Sequence, residues 1–160
     1  MILIHAPGST LGGTLTYKNS EHSFMFDVAS PADLLDYAGG HEFASVSLGT
    51  LQVEFGVKSK RALFAWGYHP RQKWLASALT LPDLQSGALY VTSDYSLESG
   101  VSFPLAPVGA WETMYDSTSG WLRICADPSP DEDVILIADG IALGCVNCEL
   151  HSIWLRPIFD

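Results

Sequence analysis

Val134-Ile-Leu-Ile-Ala-Asp-Gly-Ile-Ala-Leu-Gly144 is the stretch that decides the fold. Its first five residues are a continuous apolar run, the pattern of a central strand covered on both faces. Asp139-Gly140 follows, and a type I′ turn, which needs positive φ at both central residues, takes that pair readily. VILIA and IALG therefore read as a β-hairpin. A second turn at Val146-Asn147 returns the chain into ELHSIWL, making the last thirty residues a three-stranded meander.

The same pattern extends outward. Leu51, Val53 and Phe55 alternate with Gln52, Glu54 and Gly56, as in a strand with one buried face, and Phe24, Phe26 and Val28 repeat that period. Ala62 to Trp66 is a second continuous apolar run suited to a central strand. Turn residues recur between apolar segments of four to seven residues, the spacing of a sandwich or barrel. One short helix is marked by Ser30 as N-cap, Pro31 at the first helical position, Asp33 in the first turn and Gly39-Gly40 as the stop. Residues 70–81 fit either a helix or a strand. LQVEFGVKSKRALFAWG and WLRICADPSPDEDVILIADG share a strand, charged loop, strand pattern and read as two hairpins obeying the same rules. The expected fold is mainly β, with a β-rich α+β fold as the variant: one domain over 1–160, an antiparallel sheet folded as a sandwich or barrel-like core with one or two short helices.

The totals agree with one hydrophobic core. The chain has 160 residues, of which 48% are apolar and only 16% charged, far from the composition of disordered chains. No apolar run reaches the length that spans a bilayer, and the first residues carry no secretory pattern. With an odd count of three cysteines, the expectation is a cytoplasmic protein. The net charge of −10 lies wholly in the second half: residues 83–160 hold twelve acids against Arg123 and Arg156, whereas residues 1–82 hold six of each sign. Such a chain has no general attraction for phosphate backbones, so a basic protein is a more natural partner than nucleic acid.

Motifs for chemistry are sparse. Cys145-x-x-Cys148 with His151 three residues on is a single metal knuckle without the second that a zinc site brings, so these three are weak metal candidates and no cofactor is expected. The glycines at 8, 12 and 13 lack the Gly-Lys-Ser/Thr of a phosphate loop, no nucleophile elbow occurs, and the five histidines show no ligand spacing. The bases between Lys58 and Lys73 read as a charged turn and a solvated face. No catalytic residue is nominated and the chain is read as a non-enzyme. The acidic run Asp127, Asp131, Glu132 and Asp133 is stiffened by Pro128 and Pro130, and rigidity lowers the entropy lost on binding. Trp111 and Tyr115, beside Glu112 and Asp116, are the aromatics least committed to a strand.

A small, strongly acidic, tryptophan-rich chain ending in Ala138-DGIALGCVNCELHSIWLR-Pro157 resembles in type the immunity proteins of bacterial polymorphic toxin systems, including those of contact-dependent growth inhibition. The resemblance implies a protein that neutralises one cognate toxin, such as a basic nuclease. Asp116, Asp127, Asp131, Glu132 and Asp133 are then expected to supply the charge, with Trp111 and Tyr115 as anchors. The alternatives are a β domain that binds a small ligand or carbohydrate, and a hydrolase whose residues leave no linear motif. A partner surface would be an acidic patch, flat or convex; a ligand site would be concave, with converging polar groups.

Overall fold

The computed structural model describes all 160 residues. Its strands are β1 (Leu3–Ala6), β2 (Gly13–Lys18), β3 (Ser23–Val28), β4 (Phe43–Leu48), β5 (Leu51–Gly56), β6 (Ala62–Tyr68), β7 (Leu75–Ala76) and β8 (Leu84–Ser86) in the first half. The second half adds β9 (Ala88–Val91), β10 (Ser102–Ala106), β11 (Glu112–Tyr115), β12 (Leu122–Cys125), β13 (Asp133–Ala138), β14 (Ile141–Val146), β15 (Glu149–Leu155) and β16 (Ile158–Phe159). The one α-helix is α1 (Pro31–Ala38). Ser30 Oγ accepts from the Asp33 amide at 3.2 Å, and Gly39 closes the helix in the left-handed region, so its signals act as the sequence implies.

Two seven-stranded sheets pack as a sandwich-like core. The first runs β10-β4-β5-β6-β3-β2-β16 and the second β7-β11-β12-β15-β14-β13-β8. Each has five antiparallel strands flanked by two strands in parallel pairing, and of these flanking strands β7, β8 and β16 have only two or three residues. Short edges leave few unpaired backbone groups to recruit another chain. The β1–β9 ribbon lies across one end, where the Leu3 and Leu150 amides bond the Cys148 and Met1 carbonyls.

The core cluster of 29 buried residues takes the alternating positions of both inner faces, among them Val53, Phe55, Ile135, Ile137, Leu143 and Ile153. Residues 134–138 are covered on both faces, as their apolar run implies. In β6, Phe64 is half-buried and Trp66 exposed, because the outer face of the first sheet is open there.

Three readings change. Residues 70–81 are neither helix nor long strand: a 3-10 turn at Arg71–Lys73 leads into β7, and then residues 77–83 run without regular structure to β8 at the opposite edge of the same sheet. The segment therefore has to pass from one edge of the sheet to the other. It crosses the outer face as a strap and lays Leu79 on the cluster of Trp121, Val134, Ala142 and Trp154. Second, β5 and β6 form a hairpin, but β12 and β13 do not, because β15 and β14 lie between them.

Third, the meander is present but its turns differ in detail. Only Gly140, not Asp139, has positive φ in the first turn. The type I′ geometry falls instead at Asn147 and Cys148, with φ of 51° and 64°, one residue later than Val146-Asn147. A β-branched valine resists positive φ, whereas asparagine accepts it. Cys148 carries a Cβ strain that glycine lacks, and Asn-Gly is the preferred pair for this turn. Cys148→Gly should therefore raise stability by about 1 kcal/mol in urea unfolding; an unchanged or lower midpoint would show that the turn is unstrained.

Candidate functional site

The acidic run divides into residues that build and residues that face outward. Glu132 builds. Its side chain, only 5% exposed, accepts from Ser152 Oγ and Trp154 Nε1, each at 2.7 Å, and meets the Arg123 guanidinium at 3.2 Å. Gly144 makes room for it, since a Cβ there would run into Ser152 Oγ and the Glu132 carboxylate. Glu132 is therefore not available as a partner contact, which corrects its expected role: a buried carboxylate must spend its acceptors internally.

Asp116 is similarly occupied. Its carboxylate accepts from the amides of Leu79, Thr118 and Ser119, and those bonds, Leu79's first, hold its pKa below the usual carboxylate range. It fastens the strap and its own turn. Tyr115 packs against Trp74 and Phe159 at 5.6 Å from each, with Arg71 over its ring, so it belongs to an internal aromatic cluster and not to an anchor.

Asp127, Asp131 and Asp133 are exposed. Asp127 takes a bond from Ser129 Oγ at 2.7 Å, which lowers its pKa. The register brings more acids to the same end of the second sheet. Asp133 pairs with Cys145 one step from the Val146–Glu149 pair, and Asp83 precedes Leu84, the partner of Val134. The loop is pinned from beneath: Arg123 donates to the Pro128 carbonyl at 3.0 Å and the His151 ring bonds the Asp127 carbonyl at 2.7 Å. Arg123 is thus engaged by Glu132 and Pro128.

The metal candidates do not converge. Cys145 is buried, its thiol pushed up to about 12 by that burial, Cys148 is exposed in its turn, and His151 is taken by the acidic loop. No group of three His, Cys, Asp or Glu side chains is placed to hold a metal ion. The bases of 58–73 form no common face: Arg61 is buried and stacked on Tyr37 at 3.9 Å, Lys60 donates to the Tyr95 carbonyl, and Arg71 caps the aromatic cluster.

A second feature had no linear signal. A cavity of about 280 Å³ opens between the β10/β4 edge of one sheet and the β11/β7 edge of the other, and Trp111 lines it. Thr113 and Ile124, almost fully buried, form its floor, and His69 bonds Thr113 Oγ1 through Nε2 at 2.7 Å. Burial, helped by the Lys73 charge, pushes the His69 pKa down to about 4. The couple joins residues 44 apart in sequence, so no local spacing revealed it.

Compared with known proteins, the chain matches no family model and no curated protein by sequence.

Two outcomes follow. Glu132→Ala should lower unfolding free energy by about 3 to 5 kcal/mol, because it strands Arg123, whereas Asp131→Asn should stay within about 0.5 kcal/mol. Equal, small losses for both would contradict the division of the acids. For His69, the unfolded chain takes up a proton near pH 6.5 and the folded one only near 4, so stability is lost as pH falls through that window, by up to about 3 kcal/mol. Glu54, raised by burial, works in the opposite direction. Urea midpoints should fall between about pH 7 and pH 4.5 in the wild type and fall less in His69→Gln; equal slopes would contradict the assignment.

Proposed function

We propose that this protein is a non-catalytic inhibitor that binds a basic protein partner through the acidic end of its second sheet, in the manner of an immunity protein neutralising a toxin. The observation that carries the reading is the group of exposed carboxylates at Asp127, Asp131, Asp133, Asp83 and Glu149, beside which the guanidinium of Arg123 is engaged internally. Carboxylates without counter-charges repel one another, a cost that a cationic partner removes. The group projects from a loop whose backbone is already bonded at Asp127 and Pro128, so little ordering remains to oppose binding. A row of anions on a rigid support also mimics the spacing-tolerant charge of a phosphate backbone, which suits a nuclease-type partner.

The reading places the protein in the cytoplasm, with Cys125, Cys145 and Cys148 as free thiols. No helix is long and apolar enough to cross a membrane. Trp111 lines the cavity and Tyr115 belongs to the aromatic cluster, so the anchor role is removed from both.

Capture from the source lysate followed by mass spectrometry should yield one basic protein whose toxicity the wild type suppresses. Asp131→Asn/Asp133→Asn should slow association with it by about tenfold at low salt, and the difference should close toward 1 M salt. An association rate indifferent to both the variant and the salt would contradict the reading.

A further inference from the structure

The cavity beneath Trp111 has no part in the inhibitor reading, yet its chemistry is that of a built site. Its walls are apolar, from Leu48, Leu75, Ala106 and Val108, and the indole of Trp111 adds a flat face. Lys73 and Glu112, both exposed, line it with opposite signs. At the floor, the His69–Thr113 couple satisfies only part of its own hydrogen-bonding capacity. The hydroxyl and the imidazole each offer a donor and acceptors, and the single bond between them leaves Thr113 Oγ1 and His69 Nδ1 with no other protein partner. Hydrogen-bonding capacity left over at a cavity floor is available to a ligand that enters it. The imidazole is neutral at physiological pH, so the couple itself meets a ligand through hydrogen bonds and not through charge.

We infer that this cavity binds a small, uncharged, planar heteroaromatic molecule, its ring against Trp111 and its nitrogen edge on the His69–Thr113 couple. The volume sits at the small end of ligand pockets, which suits a bicyclic ring of about ten heavy atoms and not a drug-sized molecule.

Benzimidazole at neutral pH is the direct probe, compared with indene, which has the same shape and no nitrogen, and with glucose. Titration followed by amide NMR should shift Trp111 and Thr113 saturably, with a dissociation constant on the order of 1 mM or tighter. Benzimidazole should bind at least about fivefold more tightly than indene, a preference that Thr113→Val, which keeps the side-chain shape, abolishes. Trp111→Ala should weaken both about tenfold. Asp131→Asn/Asp133→Asn should leave the titration unchanged, which separates this site from the acidic surface. The inference is overturned if no saturable shift occurs at these residues, if glucose binds in place of the heterocycle, or if benzimidazole and indene bind equally in the wild type.

Discussion

A single buried carboxylate ties together the half of the molecule in which all the net charge lies. Glu132 sits at the start of β13 and reaches across β14, over the bare backbone of Gly144, to Ser152 and Trp154 on β15 and Arg123 on β12. Four segments that are not all neighbours in sequence are thereby registered on the outer face of one sheet. Burying a carboxylate is costly, and here its two oxygens take two neutral hydrogen bonds and a guanidinium in return. Arg123, stacked over Trp154 at 5.3 Å, also holds the Pro128 carbonyl, so the interaction that registers the strands shapes the loop as well. Its consequence for function is indirect: Arg123 is engaged inside, while Asp127, Asp131 and Asp133 above it face water.

The outer face of this sheet needed a cover. The strap of residues 77–83 supplies it, placing Leu79 over Trp121 and Trp154 while the Leu79 amide is held by Asp116. The strap also delivers β7 and β8 to both edges of the sheet from one stretch of chain. On the opposite side, the two sheets part between β7, of two residues, and β10. The gap is the cavity that Trp111 and the His69–Thr113 couple line.

Much of the fold was legible because its signals are local. A capping serine followed by proline, a continuous apolar run and an alternating strand each act within a few residues, and α1, β13 and β5 appear where those signals stand. The fate of residues 70–81 was not legible: Leu79 is apolar for the sake of Trp121 and Trp154, which are far from it in sequence, and this mimics a helix face. The β12–β13 pattern resembled a hairpin because strand order leaves no mark on residue spacing. Within the candidate surface, Asp131, Glu132 and Asp133 look alike in one dimension. What distinguishes Glu132 is a glycine twelve positions later and a serine twenty positions later, a relation that only the sheet register creates.

The central claim is that the negative field is concentrated at one end of the second sheet and not spread over eighteen acids. Amide paramagnetic relaxation with a cationic and with a neutral nitroxide cosolute reads the local potential residue by residue. The account predicts the largest cationic enhancement at residues 127–131, 133, 83 and 149, and little at Asp116 or beside Trp154. An enhancement distributed evenly over the acidic residues, or strongest around Asp116, would contradict it.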